Sequence, residues 1–202
     1  MVISLDPDNP EVWYLIDAVE ILRKGGVAVF PTDTVYGLGC DLSKKKSIER
    51  LYQIKKMPRR KPLSFICSDL KDIAKYAHVS NMAYRLMKRL LPGPYTFILP
   101  ATHKVPRLML TNRRTVGIRV PDNKICIELV QQLGNPIIST SLILDEDEPI
   151  SDPFEIFDTY GNQIDLVIDG GVLRAERSTV VDLTNNSPEI IREGKGDISG
   201  II

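Results

Sequence analysis

Two hundred and two residues, 43% of them hydrophobic, supply one full core and are too few for two ordinary domains. Lysine plus arginine and aspartate plus glutamate both number 26, which excludes the global positive field of a non-specific nucleic-acid binder and leaves RNA contact to a local patch. The three cysteines, Cys40, Cys67 and Cys126, lie far apart without a C-x-x-C pair, which argues against a disulfide framework or structural zinc and predicts reduced thiols in core or strand positions.

The opening MVISLDPDNP has no basic segment followed by an apolar run, and no stretch approaches the roughly 18 apolar residues of a membrane span, so the sequence predicts a cytoplasmic chain with no targeting segment or anchor. Asn9-Pro10 reads as a cap and first helical position for an amphipathic helix carrying Val12, Leu15, Ile16, Val19 and Leu22 as far as Gly25-Gly26. Val27 to Phe30 is a buried strand ending at Pro31, and its end delivers a polar loop. A second helix carries Ile48, Leu51 and Tyr52 and runs into a basic segment, Lys55 to Pro62, after which Leu63 to Cys67 reads as a strand. Ser80 caps a helix with Ala83, Leu86, Met87 and Leu90, stopped by Pro92-Gly93-Pro94. Tyr95 to Leu99 and Val116 to Val120 are strands, and Asp122 is a cap for a helix through Ile125, Leu129 and Val130 to Gly134. Pro136 to Thr140 leads to a polar turn at Ser139-Thr140-Ser141, and a short helix follows Asp152-Pro153. Leu166 to Ile168, Thr179 to Leu183 and Glu189 to Arg192 are late strands. Strands joined partly by helices and partly by hairpin-like turns predict an α/β (α+β) fold: a single-domain twisted mixed sheet flanked by helices, not a doubly wound parallel sheet.

The polar loop Pro31-Thr32-Asp33-Thr34-Val35-Tyr36-Gly37-Leu38-Gly39 offers two threonine hydroxyls, with Gly37 and Gly39 allowing close backbone approach to a ligand or positive φ. A strand-turn-strand with polar decoration is the competing reading, and neither a Walker loop nor a dinucleotide fingerprint fits the spacing. Lys55, Lys56, Arg59, Arg60 and Lys61 stand beside two prolines, so several cationic donors can meet a polyphosphate at once; a solvated charge run is the alternative. Asp145 to Glu148 reads as a surface acidic stretch. Arg119 interrupts an apolar strand, opposite Ile118 and Val120, where its charge demands an anionic partner from either a ligand or a buried acid. Ser139, Thr140, Ser141, Ser178 and Thr179 put hydroxyls beside strands, and Arg192 ends the final strand with a cation before the flexible glycines Gly194 and Gly196.

The order of these motifs, P-T-D-T-V-Y-G-L-G at 31 to 39, K-K-M-P-R-R-K-P-L at 55 to 63, L-P-G-P-Y-T at 91 to 96, G-I-R-V-P at 117 to 121, S-T-S at 139 to 141, S-T-V-V-D at 178 to 182 and I-R-E-G at 191 to 194, resembles the YrdC-like family of threonylcarbamoyl-adenylate synthases over nearly the whole chain. The resemblance implies one YrdC-like domain over residues 1–202, a YrdC/RibB-like sheet around a concave basic cavity, and condensation of threonine, bicarbonate and ATP into threonylcarbamoyl-AMP and pyrophosphate, with magnesium, for tRNA modification. It implies Thr32, Thr34, Arg119 and Ser178 at the substrate, with Arg119 on the threonine carboxylate, and Lys55, Lys56, Arg59, Arg60, Ser139, Ser141 and Arg192 at the nucleotide. It names no catalytic nucleophile and no metal ligand. Met57 stands where the synthases carry an arginine, and Leu142-Ile143-Leu144 where they carry alanine-asparagine, a pattern similar to the family's YciO branch. The alternative function is a paralogue that binds nucleotide or double-stranded RNA with weak catalysis or none. A third, from fold analogy, is a riboflavin-pathway synthase, for which the sequence has no convincing metal-binding glutamate-histidine pair.

Overall fold

In the computed structural model, residues 1–58, 61–110, 113–142, 150–174, 176–185 and 187–201 are described. Their elements in chain order are β1 (Val2–Ser4), α1 (Val12–Arg23), β2 (Val27–Phe30), β3 (Gly37–Asp41), α2 (Lys45–Ile54), β4 (Ser64–Ile66), α3 (Leu70–Tyr76), α4 (Asn81–Leu90), β5 (Tyr95–Pro100), β6 (Thr115–Arg119), α5 (Lys124–Leu133), β7 (Ile137–Ser141), α6 (Pro153–Tyr160), β8 (Leu166–Asp169), β9 (Thr179–Asp182) and β10 (Glu189–Arg192). The ten strands form one mixed sheet in the order β1-β8-β2-β3-β7-β4-β6-β5-β9-β10.

The two faces of this sheet follow from strand alternation. Val29, Leu38, Ile138, Phe65, Ile118 and Phe97 point to one side, into a core shared with Leu51 of α2, Ile73 of α3, Met87 of α4 and Ile156 of α6. Each large apolar side chain buried there contributes roughly 1.5–3 kcal/mol relative to exposure. On the other side Phe30, Ile137, Ile168 and Ile66 pack with Leu15 and Val19 of α1 and Leu129 and Val130 of α5. That second layer covers only one half of its face. Further along, the same face carries Ser64, Gly117, Arg119 and Thr96, and it forms the floor of a cavity.

The topology makes this face concave. From β8 to β9 the chain crosses seven strand positions, about 34 Å on a flat sheet. The connection between Asp169 and Thr179, fully extended, reaches about the same distance, and it must also run from the end of one strand to the start of the other. The sheet therefore curls towards the crossing segment, whose last two residues, Arg177 and Ser178, reach the cavity wall.

Several local expectations are corrected. Asn9-Pro10 does not start α1; the N-cap is Glu11, without a side-chain cap, because the preceding acidic residues close their own turn, with Asp8 N donating to Asp6 Oδ1 at 2.8 Å. Asn123 rather than Asp122 caps α5, accepting from Cys126 N at 2.9 Å. Ser139-Thr140-Ser141 is not a turn but the end of β7, paired with β3. Helix α3 escaped the sequence reading because its 7 residues are too few for periodicity, although Asp69 caps it by accepting from Lys71 N and Asp72 N. Ser80 and Asp152 cap α4 and α6 as expected. Gly37 and Gly39 lie in β3 with φ outside the left-handed region, and their missing side chains admit the Phe30 ring and Ile137 from the neighbouring strands. A Cβ at Gly39 would stand 2.6 Å from Ile137 Cγ2 and 2.7 Å from the Ile138 carbonyl oxygen. Gly39→Val is therefore expected to cost at least the roughly 1–3 kcal/mol of an overpacked core, measured by urea denaturation, and a loss below about 0.5 kcal/mol would contradict this packing.

Candidate functional site

The cavity has a volume of about 1210 Å³. Its floor is set by strand register. Ser64 lies between Ser139 and Gly117, Ile98 opposite Gly117, and Thr96 and Arg192 are both opposite Val180. Because residues two apart share a face, Ser139 with Ser141, Thr115 with Arg119, and Ser178 with Val180 fall on the same wall. A run of hydroxyls across four neighbouring strands and the residue before β9 is thus a consequence of pairing, not of any one motif.

Six cationic residues join them: Lys55, Lys56 and Lys61 from the segment after α2, Arg119 from β6, Arg177 before β9, and Arg192 from β10. No aspartate, glutamate or histidine lies among the described wall residues. Arg192 donates through Nε and Nη2 to the Ser178 carbonyl at 3.2 and 2.9 Å, and Ser178 Oγ meets Thr96 Oγ1 at 2.9 Å. Burial, followed by the neighbouring Arg177 and Arg119 charges, lowers the Arg192 pKa from its ordinary value. The guanidinium is therefore held where its charge is disfavoured, and an anion in the cavity relieves that cost.

Arg119, 6% exposed, has a partner that the sequence reading missed. It forms a buried ion pair with Asp33 of the β2–β3 connection, donates to Thr34 Oγ1 at 2.7 Å and makes a longer contact with Thr32 Oγ1 at 3.4 Å. Thr32 Oγ1 in turn donates to the Val35 carbonyl at 2.6 Å and accepts from Thr34 N at 3.1 Å. Thr32 and Thr34 are buried and hold Arg119, and neither lies on the cavity wall. Two polar atoms of this cluster, Arg119 Nε and Asp33 Oδ2, are buried without a hydrogen-bond partner.

The expected residues thus separate. Lys55, Lys56, Arg119, Ser139, Ser141, Ser178 and Arg192 meet on one wall, with Met57 beside them. Arg59, Arg60, Ile143 and the acidic run at 145–148 lie outside the described residues. Asp33, Thr96 and Arg177 were absent from the expected set. The sequence holds no local signal for Asp33, which is 86 residues from Arg119, whereas Arg177 stands next to a residue already chosen. Gly194 and Gly196 serve close packing rather than flexibility: a Cβ at either would collide with the Arg177–Ser178 backbone or the Tyr95 ring. Lys195 Nζ donates to the Asp33 carbonyl at 2.6 Å, tying the end of the chain to the same loop.

All three thiols are buried, and burial pushes Cys40 and Cys126 up to about 12 and Cys67 higher still, so none supplies a thiolate. Burial likewise pushes Tyr36 up to about 12. Its hydroxyl stays protonated, donates to the Gly171 carbonyl at 2.7 Å and accepts from Gly170 N at 3.1 Å, fixing the start of the crossing segment. Magnesium prefers one or two carboxylates together with substrate phosphates. Apart from the Gln163 amide, the polar side chains of the described wall are hydroxyls and cations, with no carboxylate, so it does not fit a magnesium ion held by protein alone.

A small single-domain mixed α/β protein, with a cationic, hydroxyl-lined cavity on the concave face of its sheet, is the class defined by this geometry. The chain belongs to the Sua5/YciO/YrdC family, whose profile, described as telomere recombination, matches residues 20–194. It is 49% identical over 201 residues to an uncharacterized protein of Haemophilus influenzae, covering 98% of this chain and 97% of that one. The crystal structure of Escherichia coli YciO superposes with a TM-score of 0.96 at 44% identity, over 100% of this chain and 99% of that one. Pyrococcus abyssi Sua5 complexed with L-threonine superposes with a TM-score of 0.90 at 30% identity, over 96% of this chain and 57% of that one; the threonylcarbamoyl-AMP synthase of that organism is 34% identical over 187 residues, 91% of this chain and 55% of that protein. No helix among the described residues is long and apolar enough to cross a membrane.

Proposed function

We propose that this chain binds ATP together with threonine in the cavity and carries out the condensation of the threonylcarbamoyl-AMP synthases. The observation that carries this reading is the charge of the wall: six cations, of which Arg119 is paired with Asp33 from behind the wall, and no carboxylate among its described residues favour a ligand with several negative charges. The volume of about 1210 Å³ suits one nucleotide with a small co-substrate better than a nucleic-acid duplex, which is gripped over an extended surface. The threonine-bound relative supports the amino acid as that co-substrate.

In this reading bicarbonate and the threonine amine give a carbamate with loss of water. A carbamate oxygen attacks the α-phosphate, a new P–O bond forms, the bond to the β-phosphate bridging oxygen breaks, and pyrophosphate leaves with the electron pair. No covalent nucleophile is required, so the protein's work is to position the reactants and neutralise the charge developing on the leaving group. Lys55, Lys56 and Arg192 surround the phosphates, Ser139 and Ser141 line the nucleotide, and Ser178 faces the threonine end. Arg119 meets the threonine carboxylate from the cavity wall, while Asp33, Thr32 and Thr34 keep its plane fixed. No described carboxylate of the wall would hold magnesium, so the ion would be brought by the nucleotide and would supply part of the charge neutralisation that Lys55, Lys56 and Arg192 provide.

Purified protein incubated with threonine, bicarbonate, magnesium and ATP is expected to release pyrophosphate in a threonine-dependent manner. Release no greater than in a control without threonine overturns the catalytic reading. Steeply salt-dependent affinity for duplex RNA with no measurable ATP binding would point instead to RNA as the anionic ligand.

A further inference from the structure

Helix α1 buries one face and leaves a second apolar cluster in water. Leu15, Ala18, Val19 and Leu22 are the residues it gives to the core. Val12, Trp13, Tyr14 and Ile16 are nevertheless 44%, 75%, 52% and 51% exposed, so the start of the helix presents large apolar side chains to solvent. Val12 and Trp13 each stand one turn from Ile16, which puts the three on one outward face. Single exposed apolar residues are ordinary, but a contiguous cluster holding the only tryptophan of the chain marks an interaction surface. No residue of α1 lies on the described cavity wall, so this surface is separate from the cavity and does not depend on its nucleotide reading.

Charge decides what can cover it. Residues 1–22 contain five carboxylates, Asp6, Asp8, Glu11, Asp17 and Glu20, and no lysine or arginine. All five residues are exposed, and among the described residues only Glu20 has a salt bridge, with Lys24 at 2.8 Å. Two bordering cations are engaged by backbone oxygens: Lys124 Nζ donates to the Asp8 carbonyl at 2.5 Å and Arg23 Nη2 to the Gln132 carbonyl at 2.7 Å. An RNA backbone is repelled by such a rim. A bilayer surface is a poor match as well, because helices that lie on lipid carry lysine and arginine on their polar side. A second copy docked about a two-fold axis would set acidic rim against acidic rim. What fits is a protein segment with an apolar side chain to meet Trp13 and cations to meet the carboxylates.

We propose that the outward face of α1 is a docking site for a basic amphipathic helix of a partner protein, with Trp13 and Ile16 as its apolar anchors and the surrounding carboxylates selecting the charge of the partner. Tryptophan supplies a large contact area at low entropy cost and is enriched among the residues that carry binding energy.

Because Trp13 is the only tryptophan, its emission reports on this surface alone. Three tryptophan-free peptides are titrated into the full chain: an amphipathic helix of leucine and lysine, the same helix with glutamate in place of lysine, and a lysine–serine peptide without apolar residues. The leucine–lysine helix is expected to shift the emission to shorter wavelength, saturably and with an affinity that falls as salt rises, while the other two leave it unchanged. Calorimetry with the same helix is expected to show a Kd raised about tenfold or more in Trp13→Ala and in the charge reversal Asp17→Lys. Trp13→Ala is expected to keep the wild-type melting temperature, as a surface substitution does. A large drop would mean that Trp13 serves the fold of its own chain, and it overturns the proposal. So does the absence of any response to the leucine–lysine helix, or an equal response to either control peptide. An emission shift produced by anionic phospholipid vesicles would assign the face to a lipid surface, and one produced by raising the protein concentration alone would assign it to a second copy of this chain; either result also overturns the proposal.

Discussion

Arg119→Ala is expected to destabilise the ligand-free protein by about 3–5 kcal/mol, the cost of leaving a buried carboxylate without its counter-charge. The side chains of Arg119 and Asp33 are each only 8% exposed, so water cannot compensate Asp33 once the guanidinium is gone. At about 2–4 °C per kcal/mol for a chain of this size, the melting temperature falls by roughly 6–20 °C. The double change Asp33→Leu with Arg119→Met removes both charges at similar volume and is expected to recover much of that loss, because the penalty belongs to the unpaired charge. Urea denaturation of the single and double variants completes a mutant cycle. A loss under about 1 kcal/mol for Arg119→Ala would mean that Asp33 does not depend on this pair, leaving ligand binding as the reason for an arginine in this strand.

Arg192→Ala is expected to weaken ATP binding by about 30- to 100-fold at low salt, the scale of one well-placed charge-assisted contact with phosphate. Its guanidinium is anchored on the Ser178 carbonyl through two donors and crowded by Arg177 and Arg119, so it is preorganised and its charge is poorly compensated before ligand arrives. Arg192→Lys keeps the charge but loses the planar fork, and an intermediate affinity is expected. Titration of ATP at two salt concentrations checks both, with the wild-type and alanine curves converging as salt rises. Equal affinity of Arg192→Ala and wild type would remove Arg192 from the anion site and reduce its role to bracing Ser178.

The two predictions differ in how far the sequence could reach. Arg192 reads in the sequence as a cation at a strand end, and pairing of β10 with β9 puts it on the wall. Arg119, a charge in an apolar strand, requires an anion that the sequence leaves open between a ligand and a buried acid. The identity of that acid was out of reach because Asp33 and Arg119 meet only when β2, β3, β7, β4 and β6 assemble. Thr32 and Thr34 belong to the same loop, yet their hydroxyls turn towards Arg119 and the loop's own backbone rather than the cavity.

Local physics accounts for what the amino-acid order determined by itself. Apolar spacing marks α2, α4 and α5, a continuous apolar run marks β2, short apolar and β-branched segments mark β5, β6 and β9, and Ser80 and Asp152 announce their helices through side chains that accept from nearby backbone amides. The family pattern could be read for the same reason, since its motifs sit in contiguous segments. Tertiary structure alone decided that Gly37 and Gly39 make room for Phe30, that Ser139 to Ser141 form a paired strand, and that Lys56 occupies a left-handed position. It also decided the cavity itself, because its wall joins residues from Ile54 to Arg192 across strands whose order in the sheet is unlike their order in the chain. Hydrogen bonding and burial act between neighbours in space. Periodicity reports the face a residue presents, while the partner it meets there depends on strand order and register, which are fixed only when the whole sheet buries its apolar side at once.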